Sequence, residues 1–316
     1  MTEFRNLEQY TPLPRGLLSR QIRSSAQKLP LVVLTLCFGL VTHSAEGAQM
    51  QITAGLPTGK PPRQWAIDTA TNEIAMLQHV NSYLRYRMHL VNERGDRVRD
   101  VIESKDGPVA RLVLREGRPL TTEEDAAERE RLNDLVASPS VYARHVKSEN
   151  SGKKLAADLI HQMPDAMLYS YTPGQPQVGV SVSGRQVVMD YQPNPMWVPP
   201  SMTAEALTGL KGRMWIDVKT NQMVRMEGTI FKPVNFGWGM LAHIYPGGVL
   251  LLEQTDAGGQ RWIYSHFSQE ITIRALILKT LNVHTQIDAS GFHVLPGPIS
   301  YQEAIQRLLA TPLPLQ

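Results

Sequence analysis

Between Gly212 and Thr280, apolar and polar residues change places at almost every position. Met214, Ile216 and Val218 alternate with Arg213, Trp215 and Asp217. After the turn Lys219-Thr220-Asn221-Gln222, Val224 and Met226 alternate with Met223, Arg225 and Glu227. A period of two predicts strands with one buried face. Turn signals separate the runs: Pro246-Gly247-Gly248, then Asp256-Ala257-Gly258-Gly259. Strands joined by short glycine-containing turns are hairpins, so the pattern predicts a large antiparallel sheet with one apolar face.

The same period appears earlier. Leu84, Tyr86, Met88 and Leu90 alternate with Arg85, Arg87 and His89, and return strands are expected at Val98–Ile102 and Val109–Leu114. Helical spacing replaces it in three places. From Ala66, residues Ile67, Ile74, Met76, Leu77 and Val80 share a face, with Asp68 or Thr69 as cap. Thr121 or Thr122, with Glu124 or Asp125 three residues on, predicts a capping box opening a helix over Glu123–Val136, whose charge-dense side reads as a solvated face. A second helix, Lys153–Met163, is ended by Pro164. Strands are expected at Ala166–Tyr171 and Gln186–Tyr191. The proline-dense Gln192–Pro200 is an extended crossing that cannot join a central strand, and a short helix follows near Ala204–Leu210. After His284 the pattern turns irregular, with a last short helix at Tyr301–Leu309.

Composition adds a destination. Arg15, Arg20, Arg23 and Lys28 precede the apolar run Leu29–Val41, and small residues follow in Ser44–Ala48. That order predicts a signal peptide over residues 1–47 and export to the periplasm, with an uncleaved inner-membrane anchor as the alternative. The run falls short of the ~20 residues of a spanning helix. Cys37, the one cysteine of the chain, lies inside it; Leu34-Thr35-Leu36-Cys37 lacks the small residue that a lipid-attachment site needs before cysteine. Removal of the segment leaves no disulfide and no thiolate chemistry. Five of the 32 basic and three of the 29 acidic residues fall in this segment. The remainder is within one charge of neutrality, which gives no reason to expect nucleic acid. Residues 48–64 read as a flexible lead-in, 65–290 as the folded domain, and 291–316 as an irregular tail with a short helix.

No catalytic pattern stands out. The histidines show no metal-binding helix spacing, and His89, His243, His266 and His284 fall on separate expected strands. Gly179-Val180-Ser181-Val182-Ser183-Gly184 misses the nucleophile-elbow pattern at Ser183. Asp217 and Glu253 are the one pair of carboxylates that could be imagined together. No cofactor and no metal are expected. What the sequence does offer is apolar surface rich in methionine, which suits adaptable binding as well as ordinary packing.

The hairpin Gly212-Arg213-Met214-Trp215-Ile216-Asp217 and Met223-Val224-Arg225-Met226-Glu227 resembles that of the periplasmic lipoprotein carriers, the LolA, LolB and RseB-like superfamily. The element order over Ala66–Asp288 is similar too. Gly117-Arg118-Pro119-Leu120, the Pro/Trp crossing and Phe236-Gly237-Trp238-Gly239 are similar to a set of exported bacterial proteins with that layout. The resemblance implies an α+β fold: a strongly bent antiparallel β-sheet, a half-barrel, with helices on its concave side. It also implies a non-enzymatic carrier that holds a lipid, or the acyl chains of a lipoprotein, in an apolar cavity. Leu84, Tyr86, Met88, Leu90, Met214, Ile216, Val224, Met226, Phe236 and Trp238 are the expected lining. Two departures stand out. Residues 117–163 carry more charge than a lipid-contacting lid, and Arg85, Arg87 and Arg225 all compete for the place of the carriers' functional arginine. The rival expectation is an envelope sensor or scaffold that meets a protein partner through the same sheet.

Overall fold

A computed structural model of the chain describes residues 59–78, 82–179, 184–237, 241–258, 261–275 and 279–314. The expected signal peptide with Cys37, residues 48–58 of the lead-in, residues 180–183 and Trp238 lie outside the described residues.

Helix α1 (Pro62–Gln78) precedes a meander of β1 (Leu84–Asn92), β2 (Gly95–Ser104), β3 (Gly107–Arg115) and the two-residue β4 (Arg118–Pro119). Helices α2 (Thr122–Ala137) and α3 (Pro139–Ala166) follow. Next come β5 (Met167–Tyr171), β6 (Gln186–Pro193), a 3-10 turn (Thr203–Gly209), β7 (Leu210–Asp217) and β8 (Met223–Ile230). The chain ends with β9 (Val234–Phe236), β10 (Ala242–Ile244), β11 (Val249–Asp256), β12 (Trp262–Ala275), β13 (Lys279–Val294) and α4 (Tyr301–Ala310). All strand pairs are antiparallel, in the order β4-β3-β2-β1-β13-β12-β11-β8-β7-β6-β5, with β10 beside the end of β12 and β9 beside β10. The result is one open sheet of thirteen strands with a few helices, an α+β arrangement.

Several elements differ from the sequence reading for identifiable reasons. Helix α1 starts at Pro62, whose fixed φ and missing N–H suit a first turn, so Asp68 and Thr69 lie inside the helix rather than at its cap. Helix α3 runs through Pro164, which sits in the last turn; the ladder resumes with Met167 N donating to Met163 O. Strand β13 continues ten residues beyond His284, because β12 bonds to it as far as Asp288 and β1 as far as Val294. The capping box forms as read: Thr121 Oγ1 accepts from Glu124 N, and Glu124 Oε2 accepts from Thr121 N.

Residues directly opposite one another on paired strands share a face. By that rule Leu84, Tyr86, Met88 and Leu90 of β1 lie on the same face as Ala289 and Ile287 of β13, Phe267 of β12, Leu252 of β11, Met226 of β8 and Met214 of β7. Helix α1 and the C-terminal part of α3 cover part of this face. They bury Trp65, Ala66 and Leu159 with Val187, Met189, Met214, Ile216, Met223, Met226 and Ile271 in a first core. A glycine at 212 is required there. Tyr191 Oη donates to Glu227 O (2.7 Å) across that position, and a Cβ would stand 1.8 Å from the same carbonyl.

A second core lies at the other end of the sheet. Helix α4 packs Ile305 and Leu308 on Ile102 and Val109, with Leu132 and Leu135 of α2. The charge-dense side of α2, read as a solvated face, turns out to cap the sheet edge. Beyond the two residues of β4 the β3 backbone would be open, and there Leu112 N donates to Glu128 Oε1 (2.7 Å) and Arg131 donates to Ala110 O (2.8 Å). An unpaired edge is otherwise a template for another chain. Helix α3 joins the cores. Tyr142 stacks on Tyr301 (centroids 3.7 Å apart) at one end and Leu159 packs at the other, while residues 147–158 contribute to neither core.

Candidate functional site

The ten residues expected to line a cavity do not share one environment. Met214, Ile216, Met226 and Phe236 are buried inside the first core, and Leu84 is fully buried as well. Val224 loses its place to a bulge: the register shifts between Trp215 and Ile216, so Met223 stands opposite Ile216 and enters the core instead. Trp238 lies outside the described residues. Tyr86, Met88 and Leu90 remain, half-exposed, on the part of the face that the first core does not reach.

Around these three the register assembles a shelf. Ile287 stands beside Leu90 and Ala289 beside Met88, and Phe292 lies against Tyr86 with ring centroids 5.7 Å apart. The shelf continues onto β2, where Arg97 is directly opposite Leu90 and Arg99 directly opposite Met88. At the far end the Tyr86 hydroxyl is deeply set. Burial raises its pKa first, and the charges of Glu103 and of Glu149 on α3 raise it further. The middle of α3 therefore passes close to the Tyr86 end of the shelf.

A second polar feature lies within the first core. Trp65, Thr69 and Glu73 form one stripe of α1, four residues apart and all buried against the sheet. Glu73 Oε2 accepts from Gln254 Nε2 (2.7 Å) and from Tyr264 Oη (2.8 Å). Burial raises the Glu73 pKa to about 7, although the hydrogen bonds from Tyr264 and Gln254 pull it back. Trp65 Nε1, Thr69 Oγ1, Glu73 Oε1 and Gln254 Oε1 are buried without a partner. The carboxyl is half-ionised near neutrality, so a small pH change alters the charge beneath α1.

The opposite face is charged across its middle strands, and the second core covers its β2–β3 end. Directly opposed residues form the row Trp215, Arg225, Glu253, His266, Asp288 and His89 across six strands. Arg225 pairs with Glu253, His266 Nδ1 with Asp288 (2.7 Å), and His89 Nε2 with Asp96 (2.7 Å). Glu253 is thus occupied by Arg225. Asp217 binds the turn, its Oδ1 accepting from Thr220 N (2.8 Å) and Lys219 N (2.9 Å). The two carboxylates imagined as a pair lie on β7 and β11, separated by β8. Of the three arginines considered for the carriers' functional position, Arg87 pairs with Asp100 (2.8 Å) on this same face and Arg85 reaches Thr311 of the segment after α4.

Among the described residues no cluster of histidines and carboxylates could hold a metal ion, and no helix is long and apolar enough to cross a membrane. An open groove of about 680 Å³ between α3 and the start of α4 is lined by Tyr142, Val146, Lys147, Asn150 and Tyr301. Sequence reading missed Arg97, Arg99 and Glu73. The alternation Arg97-Val98-Arg99 was a legible signal, because it put both arginines on one face of a strand. Nothing in the sequence marked Glu73. Comparison of the chain with family models, with curated proteins and with solved structures finds no match.

Proposed function

We propose that the protein is a non-enzymatic periplasmic carrier that binds a lipid, or the acyl chain of a lipidated protein, on the apolar face of a bent, half-barrel sheet. The observation that carries the reading is the half-exposed apolar shelf Tyr86, Met88, Leu90 and Ala289, with α3 crossing near one end and contributing nothing to either core between residues 147 and 158. A strap fixed only at its ends can move away from the sheet without dismantling either core. Each CH₂ of an acyl chain buried there contributes about 0.8 kcal/mol, so affinity needs few polar contacts.

The test is direct. Protein purified from the periplasm is extracted with organic solvent and analysed for lipid, and the apolar dye N-phenyl-1-naphthylamine is titrated into the delipidated protein. Co-purified lipid and saturable dye binding are expected. Absence of both removes the reading.

A second reading, an envelope sensor or scaffold for a protein partner, has its own support. The first core fills its share of the apolar face, and Met196 (86% exposed) and Val198 (81%) project from the Pro/Trp crossing. Crosslinking through residues 196 and 198 that recovers a single envelope protein, together with an empty lipid extract, would favour it.

A further inference from the structure

We infer that the Arg97–Arg99 end of the shelf binds the carboxylate of a single-chain fatty acid, whose hydrocarbon lies along Leu90, Met88 and Ala289 towards Tyr86. The inference rests on the carrier reading and goes beyond it by naming the head group and its direction.

Two rows across the sheet define the site. One runs Phe267, Ile287, Leu90, Arg97; the other runs Ala289, Met88, Arg99, Leu112. In each, apolar residues of β13 and β1 are followed by a guanidinium on β2, and beyond Arg99 the second row continues to the buried Leu112 of β3.

Three of the neighbouring arginines are already engaged: Arg111 pairs with Asp125, Arg115 with Glu124 and Arg131 with Glu128. Among the described residues Arg97 and Arg99 form no ion pair; Arg94, exposed in the turn before β2, forms none either. Arg97 donates to the neutral Asn92 Oδ1 (2.6 Å), and its Nε is buried without a partner. Arg99, half-buried, makes no side-chain hydrogen bond among the described residues.

A desolvated cation without an ion-pair partner is costly, and a bound anion relieves that cost. Burial lowers the pKa of both guanidinium groups, and adjacent cations add to it: Arg94 and Arg115 at Arg97, where Glu116 acts in the other direction, and Arg131, Arg97 and Arg115 at Arg99, where Glu128 does.

The shelf is also polar end to end. Glu103 and Glu149 bear on its Tyr86 end; Arg261 pairs with Glu103 (3.3 Å) and offsets it, so the charge of Glu149 is what disfavours an anionic head there relative to the arginines. From Leu90 to Tyr86 the strand covers about 13 Å, and the floor, half-buried at Leu90, Met88 and Ala289 and closed at Ile287, is two strands wide, which suits one chain rather than a pair. A guanidinium matches a carboxylate through two parallel hydrogen bonds, and it remains charged at every working pH.

The experiment is displacement of N-phenyl-1-naphthylamine from delipidated protein by palmitate, by monopalmitoylglycerol with its neutral head, and by palmitoyl lysophosphatidic acid. It is run on the unmodified protein, on Arg97→Met/Arg99→Met, and on Arg97→Lys/Arg99→Lys, with thermal melts as folding controls. Methionine keeps most of the bulk and removes the unpaired charge, so the first variant is expected to fold.

Palmitate should displace the dye at least tenfold more tightly than monopalmitoylglycerol. The methionine variant should abolish that difference without weakening the neutral competitor, and the lysine variant should restore part of it. If palmitate and monopalmitoylglycerol compete equally, or the methionine variant leaves their ratio unchanged, the head-group site is wrong while the carrier reading stands. If lysophosphatidic acid alone depends on the arginines, the carboxylate assignment is overturned. If the dye does not bind at all, the carrier reading itself has failed, and this inference with it.

Discussion

The two cores close the ends of one sheet by opposite means. The first is built from Val187, Met189, Met214, Ile216 and Met226 beneath α1, with a single carboxyl, Glu73, buried under the helix. The second has an apolar centre of Ile102, Val109, Ile305 and Leu308, but its border is stitched by charge. Arg111, 1% exposed, donates to Leu308 O and Thr311 O of the α4 terminus (2.7 Å each) and to Asp125 of α2 (2.7 Å). One core thus tolerates a carboxyl with no ion-pair partner, and the other holds its buried guanidinium by an ion pair and two carbonyls, with Arg111 Nε alone left without a partner. They should therefore answer differently to substitution and to pH.

The largest difference is expected at Arg111. Arg111→Ala leaves two helix-end carbonyls and Asp125 short of donors, and removal of one member of a buried charged network costs about 3–5 kcal/mol. Hydrogen exchange should show the loss in β2, β3 and α4 before β6 and β7. Equal loss in both regions would mean that the two cores unfold as one unit.

Ile216→Ala, at a fully buried position of the first core, should cost about 2–5 kcal/mol by cavity formation, with the opposite regional pattern. Urea denaturation gives the magnitude and exchange gives the location.

The pH responses come next in size. The Glu73 pKa is raised from its ordinary 4.5 to about 7 on folding, so the folded protein holds more protons than the unfolded chain between those values. Stability from this group is complete below pH 4.5, falls as pH rises towards 7, and levels off above it, a change on the order of 3 kcal/mol. Glu73→Gln should flatten that slope and stabilise the protein at pH 8, read from urea midpoints across the pH range. Asp125 behaves inversely. Burial raises its pKa, but hydrogen bonds from Arg129 and Arg111 outweigh this and hold it below 3.8. Its contribution is present above pH 3.8 and is lost as the pH falls through the folded value. A rise in pH from 4.5 to neutrality thus loosens the first core, and acid below pH 3.8 the second.

The smallest effect is expected at the capping box. Thr121→Ala removes the acceptor for Glu124 N and should cost about 1 kcal/mol, confined to α2 and the β3 edge that it covers. A thermal melt gives the size, and exchange at Leu112 reports the edge.

Much of the sheet was legible because strand residues announce their face by alternation. Gly212–Asp217, Met223–Glu227 and Leu84–Leu90 are strands in the structure, and the capping box placed the start of α2 correctly. The failures share one cause: contacts distant in sequence overrode the local signal. Beyond His284 the alternation is short, confined to Gln286–Ser290, yet β12 as far as Asp288 and β1 as far as Val294 keep β13 extended. Val224 has the right parity for the core but loses its place to Met223 at a bulge that no residue type announces. Of the expected lining, the sequence grouped the β1 residues correctly, because a single strand sets that alternation. It could not separate Tyr86, Met88 and Leu90, half-exposed, from Met214, Ile216 and Met226, which are sealed beneath α1.

By itself, then, the sequence determined which segments are strands, which side of each strand is apolar, and where α2 begins. These depend on neighbours one to four residues away. The tertiary structure alone decided the strand order, which apolar residues are filled core and which stay half-buried outside it, and that Arg97 and Arg99 stand beside those residues without an ion pair while Arg111, Arg115 and Arg131 are paired. Those outcomes depend on register and on which helix covers which strand, and both are set by chain segments up to two hundred residues apart, as Arg111 and Thr311 are.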